Sequence, residues 1–150
     1  MTVEIQDSKF VTLMQGIATA ATSATVTAAI DCLGWNYGRF IFMAPAGTAT
    51  GVACKSLVIS EGTSTASYAA VAGLRGGTAT GSTVDFVVGS LSTSEPVAIC
   101  LDVALQARAR YLKASLTVGE KYIPVMAALL TRGSVEPGSD AGSMVQHIKA

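Results

Sequence analysis

Charged side chains are few in this sequence. Asp, Glu, Lys and Arg make up 13% of its 150 residues, against roughly a quarter in soluble domains. They also cancel, ten basic against ten acidic. Such a chain has no basic footprint for neutralising phosphates, which argues against nucleic acid as its main partner, and no acidic excess of the kind that solvates a tail. Histidine is nearly absent: His147 stands alone near the last residues. With no Gly-x-Ser-x-Gly elbow and no second imidazole, nucleophilic catalysis by a serine triad lacks its base. Metal chemistry lacks ligands, since no Cys-x-x-Cys, His-x-His or Asp-x-Asp-x-Asp-Gly spacing occurs. No metal or other cofactor is expected. The cysteines Cys32, Cys54 and Cys100 are an odd number, each inside or beside an apolar run. They read as buried, reduced thiols, which fits synthesis in a reducing compartment such as a cytoplasm. The ten carboxylates are spread singly and read as solvated surface groups.

No run is both long and purely apolar. Residues 10–30 are free of charge, but Glu4 and Asp7 precede them where an export signal wants a positive region, and Thr, Ser and Gln interrupt them throughout. They read as two strands and a turn, and no membrane partner is expected.

What is present is a spacing habit. Apolar or alternating runs of strand length recur, broken by Gly, Pro, Ser and Asn clusters, the pattern of an all-β sandwich or barrel. The runs at 10–17, 24–30, 39–44, 53–60, 67–72, 83–88, 97–105, 110–118 and 122–130 are predicted strands. The clearest alternation puts Leu112, Ala114, Leu116 and Val118 on one face and Tyr111, Lys113, Ser115 and Thr117 on the other. Val84, Phe86 and Val88 share a face, with Asp85 turned outward. Phe40, Ile41, Phe42 and Met43 do not alternate, and apolar residues on both faces predict a central strand covered on each side. Turns are expected at 45–47, 61–63, 76–77 and 119–121, and at 94–96 before a strand; a short helical turn remains open near 105–109. Gly73-Leu74-Arg75-Gly76-Gly77 has a superficial likeness to a phosphate-cradling loop but lacks the Lys-Ser/Thr ending, so it reads as a pair of β-turns. The chain therefore reads as one antiparallel β-sandwich over 1–133, with 1–29 open to reading as an extended arm. Residues 134–142 form a turn-and-linker stretch within a C-terminal tail, 134–150, which either frays or docks Met144, Val145 and Ile148 on a neighbour.

Candidate partner-binding residues follow from residue type. Arg108 and Arg110 flank Ala109 at a spacing of two, on one side, with Tyr111 next; Arg and Tyr are enriched at interface hot spots. The bland reading is a solvated strand edge protected by charge. Trp35, beside Asn36 and Tyr37, is either a sugar-stacking platform or a plug for the end of the sandwich.

The order Ile30-Asp31-Cys32-Leu33-Gly34-Trp35-Asn36-Tyr37, Arg39-Phe40-Ile41-Phe42, Leu57-Val58-Ile59-Ser60-Glu61-Gly62 and Tyr68-Ala69-Ala70-Val71 resembles a pattern in small virion proteins of tailed bacteriophages. Arg110-Tyr111-Leu112-Lys113-Ala114-Ser115-Leu116-Thr117-Val118-Gly119 and Ala127-Ala128-Leu129-Leu130-Thr131-Arg132-Gly133 are similar to its close. The likeness covers about residues 30–133 and is carried by short hydrophobic motifs in order, none of them catalytic. It implies a jelly-roll-like sandwich with extended terminal segments, a homotrimer, and a capsid cement or decoration role. The implied partner is the major capsid protein, and the implied location is the capsid exterior of a virion made in a bacterial cytoplasm. Two other readings stay open: a different structural or adhesive β module from a tail, neck or glycan-binding head component, and an enzyme, for which the acid, base and ligand inventory is thin.

Overall fold

The computed structural model describes residues 8–14, 25–44, 54–78, 83–88, 97–118, 125–132 and 145–149, with backbone alone at 14, 44, 54, 97, 118 and 145–149. Among the described residues ten strands run in chain order: β1 Ser8–Met14, β2 Thr25–Asp31, β3 Tyr37–Ala44, β4 Cys54–Gly62, β5 Ala69–Gly77, β6 Phe86–Val87, β7 Val97–Ala104, β8 Tyr111–Val118, β9 Val125–Thr131 and β10 Val145–Lys149. They form two five-stranded sheets, β1-β9-β3-β7-β10 and β2-β8-β4-β5-β6, packed as a sandwich. Among the described residues the only helical turn is a 3-10 turn, Leu105–Ala107, and no helix is long and apolar enough to cross a membrane.

Alternation drives the packing. Phe40 and Phe42 on β3, Ile99, Leu101 and Val103 on β7, and Met126, Ala128 and Leu130 on β9 point inward. They meet Leu57 and Ile59 on β4, Leu74 on β5, and Leu112 and Leu116 on β8. Each large side chain taken fully out of water contributes roughly 1.5–3 kcal/mol. The face predicted for the segment after Arg110 is the buried one, with Lys113, Ser115 and Thr117 outward.

Pairing across the chain is nested. β1 pairs with β9, β2 with β8, β3 with β7 and β4 with β5, all antiparallel, so a long hairpin is in effect folded over on itself. Two parallel pairs at the sheet margins, β5 with β6 and β7 with β10, depart from the purely antiparallel expectation. The terminal segments bear on the reading of extended ends. Ser8–Met14 and Thr25–Asp31 are strands of the two sheets rather than an arm, and Val145–Lys149 lies along its own chain, Val145 opposite Ala98 and Ile148 opposite Leu101.

Gly76 and Gly77 do not turn the chain. They continue β5 beside β6, where a Cβ on Gly76 would come within 2.6 Å of the Phe86 ring. The irregularity lies earlier, at Gly73, whose φ of +86° suits glycine. The Asp85 carboxylate secures that bulge, accepting hydrogen bonds from the Gly73 and Arg75 amides at 2.8 and 3.0 Å and from the Arg75 guanidinium. Asp85 is thus turned onto β5 rather than out into water. Glu61 and Gly62, expected in a turn with Thr63, are instead the last paired residues of β4, and the chain reverses over residues 63–68. Those expected at 45–47, 94–96 and 119–121, and the linker 134–142, lie outside the described residues.

Candidate functional site

The β2–β3 turn, the β4–β5 loop, the β7–β8 connection and the last residues of β9 come together at one end of the sandwich. The turn begins at Asp31, whose carboxylate accepts from the Leu33 amide at 3.0 Å, and Gly34 at φ +80° lets it close. It is stitched to its neighbours through backbone: Cys32 N–H to the Arg110 carbonyl, Asn36 N–H to Thr131, and Leu105 N–H to Asn36. The Asn36 side chain adds a bond to the Arg132 carbonyl at 2.8 Å.

Onto this frame the sequence places four cations and three aromatic rings. Arg110 grips Asp31 through both carboxylate oxygens, with Nη2 to Oδ2 at 2.7 Å, and its guanidinium lies 4.9 Å from the Tyr111 ring centre. Arg108 stands 3.7 Å from the Glu61 carboxylate, which also accepts from the Ala109 amide at 3.0 Å. Lys113 lies over Tyr68 and Arg132 over Trp35, at 4.4 and 4.7 Å from the ring centres. Asp31 and Glu61 balance two of the four cations; among the described residues no carboxylate pairs with Lys113 or Arg132. The Tyr68 hydroxyl and Arg108 Nε are buried with no hydrogen-bond partner among the described residues. The hydrogen bonds from Arg110, and then from the Leu33 amide, hold the Asp31 carboxyl down at about 2.

Trp35, Arg108, Arg110 and Tyr111, singled out from sequence, therefore do meet at one place. Arg108 and Arg110 do not share a side, however. They precede β8 and reach apart, to Glu61 on β4 and Asp31 on β2, the strands that flank β8. Trp35 is half-buried, packs against the core and is capped by Arg132, the geometry of a plug rather than an open platform. Val145 and Ile148 sit on β10, described there by backbone alone, and Met144 lies outside the described residues. Tyr68, Lys113 and Arg132 were not anticipated. Lys113 lies far in sequence from Tyr68, and Arg132 from Trp35, so neither contact could be read locally.

Neither a protein-family model nor a curated protein matches this chain.

The groups described at this end are of kinds that can serve recognition. Among the described residues no three His, Cys, Asp or Glu side chains gather as metal ligands. Its carboxylates, Asp31 and Glu61, are occupied by arginines and backbone amides. What remains is cations stacked on rings, and of these residue types Arg, Tyr and Trp are the ones enriched at interface hot spots. Stacking also holds long side chains in place before a partner arrives, which lowers the ordering entropy of binding.

Proposed function

We propose that this protein is a structural component of a bacteriophage virion, one that decorates the capsid exterior by binding across neighbouring subunits of the major capsid protein. The observation that carries the reading is the nested pairing of eight strands in two sheets. We read that nesting as jelly-roll-like, after an architecture of viral capsid and lectin domains. The sequence resemblance points to the same class. The arginine and aromatic end, with Arg108, Arg110, Tyr111 and Trp35, is the surface that meets the shell. Binding only the assembled shell stabilises it by mass action, and a homotrimer multiplies weak single contacts. That architecture serves lectins too, so a glycan-binding or other adhesive virion module is the second reading; the capping of Trp35 by Arg132 weighs against it.

The test mixes purified protein with expanded capsid shells that lack it. Co-sedimentation near stoichiometric occupancy, a raised shell melting temperature, and weakened binding by Arg110→Ala support the reading. Protein that stays in the supernatant with intact shells overturns it.

A further inference from the structure

The two outer faces of the sandwich are unlike. On the β2-β8-β4 sheet Thr27, Lys113, Ser115 and Thr117 face outward, a surface suited to water. On the other sheet the outward residues are mostly apolar, with Thr12 exposed among them. Register sets Phe10 of β1 beside Leu129 of β9, and Ile41 of β3 between Ala127 of β9 and Cys100 of β7, with Met43 one step along. Phe10 is 66% exposed and Met43 48%. The ionic groups described on this face, Arg39 and Asp102, neutralise each other.

We infer that this face packs against a second copy of the same chain. Ile41 and Met43 belong to the segment with no hydrophobic alternation, the pattern of a strand covered on both sides. Among the described residues the cover lies on one side only: Phe40 and Phe42 lie in the core while Met43 is open. A second copy supplies the other cover in solution, before any shell is reached. Another copy is the partner present whenever the chain is. The size agrees. Strands β1, β9, β3 and β7 are seven or eight residues long. At about 3.4 Å per residue and about 4.8 Å between strands they spread over roughly 490 Å² in plan. With side-chain relief added, that is the order of the roughly 800 Å² each partner contributes to a standard interface. A largely apolar face also suits self-association, since homodimer interfaces are more apolar than other protein surface.

Light scattering on the purified chain at about 100 µM tests this. A monomer weighs 15.2 kDa; the expected mass is about twofold or threefold higher. Phe10→Glu with Met43→Glu is expected to return the mass to that of the monomer with an unchanged circular dichroism spectrum, while Thr27→Glu on the opposite sheet leaves it assembled. A wild-type monomer, or an oligomer that survives the double substitution, overturns the inference. The readout involves no shells, so its failure is distinguishable from failure of the decoration reading.

Discussion

Arg39 and Asp102 stand opposite each other on β3 and β7 and are joined by two charge-assisted hydrogen bonds, Nε to Oδ1 at 2.7 Å and Nη2 to Oδ2 at 2.8 Å. The pair lies on the outward face, yet the Asp102 side chain is only 5% exposed. Cross-strand register thus places a buried carboxylate in an apolar surface and supplies its counter-ion from the neighbouring strand.

Removing one member of this pair is expected to cost more than removing both. Asp102→Ala strands a guanidinium beside apolar neighbours and is expected to destabilise by about 3 kcal/mol, the lower end for breaking a buried pair because Arg39 still reaches solvent. Arg39→Met combined with Asp102→Leu recovers most of the loss. Urea unfolding of the three variants checks this; a double variant no more stable than Asp102→Ala refutes it.

Stability is expected to fall at acid pH with a definite sign. The Arg75 guanidinium, with the Arg75 and Gly73 amides, holds Asp85 at about 2 against an ordinary 3.8, and Arg110 with the Leu33 amide does the same for Asp31. A carboxyl whose folded pKa is depressed stabilises the fold in full above its unfolded value and loses that contribution as pH drops through the folded one. The melting temperature should therefore hold from pH 7 to about 5 and decline from about 4 to 2. Asp85→Asn should flatten that decline more than Asp31→Asn, since Asp85 is the less exposed, at 19% against 44%, and alone ties a bulge to a neighbouring segment. An unchanged acid limb in Asp85→Asn excludes it as the titrating group.

Nine of the ten described strands were legible as apolar or alternating runs, because such runs are a local property. β10 was not: Val145-Gln146-His147-Ile148-Lys149 spaces its two β-branched residues three apart, without alternation, and its place depends on parallel pairing with β7. Gly76-Gly77 misled for a related reason. Glycine marks turns locally, but here it makes room for Phe86, which follows in the chain and pairs back. Likewise the residue types of the candidate end were readable, while its pairings, Arg110 with Asp31 and Arg132 with Trp35, are products of long-range register.

Gly76 is expected to tolerate no side chain. Its Cβ would meet the Phe86 ring at 2.6 Å and Val88 at 2.8 Å. Gly76→Ala should cost about 1–3 kcal/mol by overpacking. Adding Phe86→Leu should recover part of it. Thermal melts of the single and double variants decide, and an undiminished melting temperature for Gly76→Ala refutes the packing argument.

Cys32 is expected to be inert in the folded protein. It is buried beside Ile30, and loss of solvent pushes its thiol up to about 11, so little thiolate exists at pH 8. Alkylation with iodoacetamide, mapped by peptide mass, should leave Cys32 unmodified in buffer and modified in urea. Rapid native modification of Cys32 would contradict the placement.

Trp35 separates the two readings of the arginine and aromatic end. As a plug, it fills the gap between the β2–β3 turn and the core and carries Arg132 on its ring. Trp35→Ala then opens a cavity and releases Arg132, at a cost of about 2–3 kcal/mol, below the range for a fully buried Trp because this side chain is only partly buried. Arg132→Ala removes only a cation–π contact, about 0.5–1 kcal/mol at an exposed site. As a sugar platform, Trp35 would instead be replaceable with little loss of stability and complete loss of glycan binding. Urea unfolding and a glycan array on the same two variants give opposite patterns for the two readings, and the packing of Trp35 predicts the first: a large loss of stability with Trp35→Ala, a small one with Arg132→Ala, and no saturable glycan signal from the wild type.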